Sequence, residues 1–255
     1  MSINSAADLP IHAGERISAL TPGVELPRHV AVIVDGNRRW AREHHTDPAV
    51  AYRRGGDRVH ELLTWCEAAG ISVVTLWPLS ADNLRRDRGD VRALVQVIGE
   101  VVGELADARR WQLNLFGNTA LLGPSERRRI REAARRAGAV SGMTVNIAVA
   151  YDGHEDITAA VRSLLIEHAR RGTAVADIVD SLTSEQIARH VSLTGQPPVD
   201  LIIRTSGEQR LSGFLPWQSA YSEFYFCDVN WPDFSRADFE AALLSYTRRS
   251  RRYGQ

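Results

Sequence analysis

Lysine is absent from this 255-residue chain, cysteine and methionine each occur only twice, and aromatic residues make up 7%. Each scarcity excludes something. Cys66 and Cys227 stand far apart, and neither belongs to a CxxC pair or a metal-spaced cluster. A disulfide framework and a structural zinc site are therefore not expected; buried thiols in a reducing cytoplasm are. No apolar run approaches the roughly 20 residues a membrane-spanning helix needs. At most a peripheral membrane contact is compatible with this pattern. The 31 basic residues balance 31 acidic ones, which argues against a nucleic acid as the main partner. Several familiar site motifs are missing too. There is no Walker A loop, no G-x-G-x-x-G and no G-x-S-x-G elbow. No DDxxD-type aspartate pair occurs, and His44-His45 has no metal-ligand spacing.

What is present is arginine, which supplies every basic residue counted above. Its planar fork suits bidentate phosphate recognition. Codon bias in a GC-rich genome would produce the same excess, so composition alone does not assign it.

Strand-like and helix-like segments alternate. Strands are expected at His29–Val34, Ser72–Leu79, Leu113–Phe116, Thr144–Ala150, Leu201–Arg204 and Phe224–Phe226. Helices are expected at 54–69, 90–105, 125–137 (capped by Ser125), 156–171, 184–190 and 236–249. This alternation predicts a single α/β domain over residues 28–255, with a central, mostly parallel six-stranded sheet flanked by helices. Residues 1–27 are polar and irregular, without a signal-peptide core, and read as a flexible arm.

Ligands in such sheets sit beyond the carboxyl ends of strands. Four polar segments follow expected strands or precede one. The first is Asp35-Gly36-Asn37-Arg38-Arg39-Trp40. Gly36 permits close approach of an anion, the arginines supply charge-assisted hydrogen bonds, and Asp35 beside a phosphate calls for a bridging cation such as Mg²⁺. An Asx-turn or helix cap would also account for Asp35. The second runs from Arg204 through Arg210 to Ser212 and is rich in arginine, hydroxyl and glycine. A polar surface loop is its plain alternative. The third places Glu223 before Phe224-Tyr225-Phe226, where it and Asp35 could ligate one metal. The fourth is Ser80-Ala81-Asp82-Asn83-Leu84-Arg85-Arg86, in which Asn83 and Arg86 could orient a substrate or simply make a turn.

Taken together, HVAVIVDGNRRWA, LSADNLRR, NIAVAYDGHEDI, DLIIRTSGEQRLSGFLPWQSAYSEFYF and WPDF resemble, in order, the cis-prenyltransferase family that includes undecaprenyl diphosphate synthase. The resemblance runs from about Leu26 to Gly254. It implies condensation of isopentenyl diphosphate with an allylic diphosphate, forming a cis double bond. By resemblance, Asp35 assists departure of the allylic diphosphate with Mg²⁺, and Gly36, Asn37, Arg38 and Arg39, with Trp40, form the allylic site. Asn83 with Ser80 assists proton removal. Arg86, Arg204, Arg210 and Ser212 bind the isopentenyl diphosphate, and Glu223 is a second metal-associated carboxylate. Arg252 and Gly254 match an R-x-G element that completes a partner's site, which implies a homodimer.

The chain also departs from that pattern. The family's R-x-x-G-H places Pro48 and Tyr52 where Arg and His are usual. Arg38 replaces a glycine, and Trp77-Pro78 replaces smaller residues near the expected tail tunnel. These variants resemble actinobacterial short-chain members that make a farnesyl-type product, so a product of ten to fifteen carbons is expected from dimethylallyl or geranyl diphosphate. The alternatives are a long-chain (decaprenyl or undecaprenyl) synthase, an irregular head-to-middle coupling enzyme and a non-catalytic partner subunit. The last is disfavoured by the presence of Asp35, Asn83, Arg204, Arg210 and Glu223.

Overall fold

The expected sheet is formed, and every pairing in it is parallel. A computed structural model describes residues 25–138 and 140–248. The strands are β1 (His29–Ile33), β2 (Val73–Ser80), β3 (Gln112–Phe116), β4 (Thr144–Tyr151), β5 (Leu201–Arg204) and β6 (Glu223–Phe226). Their order is β3-β4-β2-β1-β5-β6. The central strands are largely apolar because helices or loops cover both of their faces, with Thr75 of β2 and Asn146 of β4 as buried polar residues that hydrogen-bond to each other at 3.0 Å. Val30, Ala31 and Val32 of β1 are completely buried, as are Ile202 and Ile203 of β5.

The helices are α1 (Asn37–Glu43), α2 (Pro48–Ala68), α3 (Arg88–Ala108), α4 (Pro124–Arg136), α5 (Gly153–Arg170), α6 (Val175–Ser181), α7 (Ser184–Ala188) and α8 (Arg236–Thr247). Short 3₁₀ turns occur at Asp82–Arg85, Thr119–Leu121 and Trp231–Asp233. Helix α2 begins six residues before the expected start. Its N-cap is Asp47, whose side chain accepts the Ala49 N–H at 2.7 Å, and Pro48 occupies the first turn. Proline suits that position because its missing N–H would be unpaired there anyway. Helix α4 likewise starts at Pro124 behind Gly123, so Ser125 is not its cap. Helix α6 was not expected at all.

On one face of the sheet, Leu62, Leu63 and Cys66 of α2 and Leu94, Ile98 and Val102 of α3 pack on Val30, Val32, Val74, Leu76 and Ile147. On the other, Ala31, Ile33, Trp77, Ala148 and Ile202 pack on Phe214 and Leu215. Both cysteines are buried free thiols. Among the described residues, no helix is long and apolar enough to cross a membrane.

The chain leaves β1 for β2 on one side and later crosses back to lay β5 on the other. The carboxyl ends of β1 and β5 therefore flank the topological switch point, where open α/β sheets leave a crevice. Ile33 and Arg204 are paired there in register.

Candidate active site

Asp35 sits two residues beyond the end of β1, at that crevice. Its carboxylate is held on two sides. Oδ1 accepts the Gly36 N–H at 2.8 Å, and Oδ2 accepts Arg204 Nη2 at 2.9 Å. Its backbone carbonyl accepts Thr205 Oγ1 at 2.6 Å and the Trp231 N–H at 3.0 Å. The side chain nevertheless stays 39% exposed toward the cleft. Arg204 is 4% exposed and also donates through Nη1 to Ser212 Oγ at 2.9 Å and to the backbone carbonyl of Arg210. One buried guanidinium thus fixes the acid after β1 and the loop after β5 together.

Gly36 has a positive φ of 101°, and a Cβ there would lie 2.5 Å from Asn230 Oδ1 and 2.9 Å from Ser206 Cβ. Glycine is demanded by its own neighbours, so ligand approach is not needed to explain it. Asn37 opens α1 and donates from Nδ2 to the Val34 carbonyl at 3.0 Å. Arg39 donates to the Ser206 carbonyl and to Glu208 Oε1, the latter at 3.1 Å; Arg210 pairs with the other oxygen of Glu208. Those two arginines, Arg210 first, hold the Glu208 carboxyl below its ordinary range. Ser80 Oγ accepts the Asn83 N–H at 3.1 Å, and Asn83 Oδ1 faces the Ser80 N–H at 3.4 Å. Burial, and then the charge of nearby Arg38, push the Arg86 guanidinium down from its ordinary value.

These groups line a single cleft of about 620 Å³. Asp35, Gly36, Asn37, Arg38, Arg39, Ser80, Asn83, Arg86, Arg204, Arg210 and Ser212 all contribute to its wall. Six arginines face three carboxylates across it, with Arg42 adding to the expected five and Asp82 and Glu208 joining Asp35. Such a surplus of guanidinium groups around a concave site selects an anion with several oxygens. An apolar cavity of about 60 Å³ lies alongside, between α2, α3 and the sheet. Val34, Asn37, Tyr52, Pro78 and Leu94 belong to the walls of both.

Two expected site residues lie elsewhere. Trp40 turns away from the cleft. Its ring stacks on His44 at 4.0 Å, its Nε1 donates to Asp233 Oδ2 at 2.8 Å, and Arg54 sits 5.4 Å over its face. It anchors α1 rather than lining the cleft. Glu223 begins β6 in register with Leu201, which pairs with Val30, whereas Asp35 follows Ile33. At least three rungs, or roughly 10 Å, separate its level from the cleft end of the sheet. One chain therefore does not bring Glu223 and Asp35 onto a common ion. The expected tunnel wall also needs correction. Pro78 lines both the apolar cavity and the cleft, whereas Trp77 lines the cleft alone, its ring stacked on Phe214 at 4.9 Å. Arg252 and Gly254 lie outside the described residues. Tyr52, Asp90 and Glu208 were not among the expected site residues. The Tyr52 hydroxyl donates to Asp90 Oδ1, and Asp90 Oδ2 lies 3.7 Å from Arg38 Nη1.

Among the described residues, no cluster of three or more His, Cys, Asp or Glu could hold a metal unaided. The partly open Asp35 carboxylate beside an anion cleft fits Mg²⁺, which is commonly bound by one or two carboxylates together with substrate phosphates.

Residues 33–254 match the family model Prenyltransf, "Putative undecaprenyl diphosphate synthase". The chain belongs to that family. It is thus a prenyltransferase, on a fold whose one-chain geometry is described above. The short-chain Z-isoprenyl diphosphate synthase of Mycobacterium leprae is 47% identical over 232 residues, covering 90% of this chain and 88% of the relative. The (2Z,6E)-farnesyl diphosphate synthase of Thermobifida fusca is 48% identical over 229 residues, covering 89% and 90%. The crystal structure of lavandulyl diphosphate synthase from Lavandula x intermedia, in complex with dimethylallyl diphosphate, superposes with a TM-score of 0.82 at 32% identity, covering 90% of this chain and 99% of that one.

Proposed function

We infer that this prenyltransferase condenses isopentenyl diphosphate with dimethylallyl or geranyl diphosphate, giving a short-chain Z-prenyl diphosphate and free diphosphate. The observation that carries this reading is the cleft itself: an arginine-walled anion site, anchored by Asp35–Arg204, that shares a wall with a small apolar cavity. Two diphosphate groups need the polar part, and a short hydrocarbon tail needs the apolar part. In this reading Arg38 and Arg39 hold the allylic diphosphate, while Arg86, Arg204, Arg210 and Ser212 hold the homoallylic one. Fixed guanidinium groups stabilise negative charge where it grows on the departing diphosphate. Alignment of the two substrates within one cleft supplies the proximity the new carbon–carbon bond requires. In this reading Asn83 and Ser80, hydrogen-bonded to each other, assist removal of the proton from the coupled product.

Asp35 is the group to hold Mg²⁺, which when bound neutralises diphosphate charge. The protein acts as a cytoplasmic homodimer in this proposal, with Arg252 and Gly254 completing the neighbouring site. The limited apolar volume supports a short product. The apolar space beside this cleft is about 60 Å³. Incubation of the purified protein with isopentenyl diphosphate, Mg²⁺ and each of dimethylallyl, geranyl and farnesyl diphosphate tests the reading. Ten- or fifteen-carbon Z products are expected, and a fifty-carbon main product refutes it.

A second reading, head-to-middle coupling of two allylic units, is favoured by one comparison, the similarity to lavandulyl diphosphate synthase. Pro48 and Tyr52, in place of the usual Arg and His, are consistent with an altered second site. Product from dimethylallyl diphosphate alone would select this reading.

A further inference from the structure

Five residues form the shared wall between the polar cleft and the apolar cavity, and among them Tyr52 carries both a large apolar ring and a hydroxyl. It lies in the second turn of α2 and is only 4% exposed. Its hydroxyl donates across to Asp90 Oδ1 in the first turn of α3, so the bond ties together the leading ends of the two helices that enclose the cavity. Further along, the same helices close up. A Cβ on Gly56 of α2 would stand 2.8 Å from Val101 Cγ2 of α3. The second oxygen of Asp90 faces Arg38 of the cleft at 3.7 Å. One carboxylate therefore connects the wall of the apolar cavity to a group of the anion site. Burial first, and then Asp90, raise the Tyr52 phenol above its ordinary value, so it remains a neutral donor throughout the physiological range.

We propose that Tyr52, clasped by Asp90, is a specificity-determining residue: it forms the neck through which an allylic tail passes from the diphosphate cleft into the apolar cavity. Its ring narrows the neck, and the clasp keeps α2 and α3 from spreading around a longer tail. The inference rests on the reading of the cleft as a prenyl diphosphate site.

Calorimetric binding of unreactive S-thiolodiphosphate analogues with 5-, 10-, 15- and 20-carbon tails, as in dimethylallyl to geranylgeranyl, separates the two. Wild-type protein should bind the 20-carbon analogue about tenfold more weakly than the 10-carbon one, a difference set by the tail alone. Tyr52→Ala should bring the two within about threefold, while affinity for the five-carbon analogue stays within about threefold of wild type. Tyr52→Phe and Asp90→Asn keep the ring and weaken the clasp, and should fall between. A folded Tyr52→Ala protein with the wild-type dependence on tail length overturns the proposal. Should that variant fail to fold, Tyr52→Leu decides in the same way, since it also removes the ring and the donor. Wild-type protein that binds all four analogues alike sinks the neck and leaves the prenyl site standing. Wild-type protein that binds none of them sinks the prenyl site, and the neck with it.

Discussion

Replacement of Arg204 by Met would remove three hydrogen bonds at once. The Asp35 carboxylate would lose its 2.9 Å partner, and the Ser212 hydroxyl and Arg210 carbonyl would lose their donor. Breaking a fully buried ion pair by removing one member costs about 3–5 kcal/mol. Arg204 is buried but Asp35 is 39% exposed, so water can take over part of the vacated site. The Nε of Arg204 is also buried without a partner, and its removal is a small gain. The net loss should be about 3 kcal/mol, toward the low end of that range. For a chain of this length that lowers Tm by about 6–12 °C. Arg204→Lys tests whether charge or geometry matters. A single ammonium cannot reproduce the fork that reaches three acceptors, so lysine should recover less than half of the loss. Thermal unfolding of Arg204→Met, Asp35→Asn and the double variant gives the coupling, expected at about 1–2 kcal/mol for a partly solvated charged hydrogen bond. A coupling below about 0.5 kcal/mol would mean the two sites act independently. Together with a Tm unchanged by Arg204→Met, that would refute the reasoning.

Asp35→Ala should leave the protein folded and lower turnover by about a thousandfold, as judged by isoprenoid product formation. Chelation by EDTA should abolish turnover and added Mg²⁺ restore it; full activity in EDTA would exclude the proposed metal role. Gly36→Ala should lower Tm by about 4–8 °C with no substrate present, for a loss of about 2 kcal/mol from a positive φ and a 2.5 Å clash, and an unchanged melting curve would contradict that packing. His29 is buried, and burial lowers its pKa, although the Pro197 carbonyl and Asp200 oppose the shift. The folded state therefore binds a proton less readily than the unfolded one. Stability from this group is complete above the ordinary histidine value of about 6.5 and is lost as pH falls from there through the depressed folded value. Denaturant midpoints should decline over that window in the wild type and decline less in His29→Gln.

The sheet was legible because its central strands are buried on both faces and read as mostly apolar runs, with β1 leading into Asp35 and β5 ending in Arg204. The cleft was legible because the polar segments after β1, β2 and β5 all reach the same edge of a parallel sheet. Side-chain direction was not legible. Trp40 and Glu223 share segments with true cleft residues, yet a helix turn points one away and strand register drops the other to the opposite edge. Tyr52 and Asp90 were missed for a different reason. Tyr52 stands where the resembled family has His, and Asp90 opens a helix whose sequence shows an apolar stripe for packing. Their pairing joins positions 38 residues apart, beyond any local period. The early start of α2 did carry a local signal, since Asp47-Pro48 is an N-cap followed by a first-turn proline. Helix α6 gave almost none, being short, with Val175 and Val179 exposed.

The placement of β1 between β2 and β5 has a consequence for the newborn chain. The acid after β1 and the arginine that pairs with it are 169 residues apart. At a synthesis rate of about 5–20 residues per second, β1 emerges some 8–34 s before β5 does. β2 can close one side of it early, but its other edge stays open, with the apolar backbone run of Val30–Ile33 waiting for a neighbour. Unpaired apolar edges invite association with other chains. The strand therefore keeps one edge without its neighbour until β5, at Leu201–Arg204, arrives to cover it.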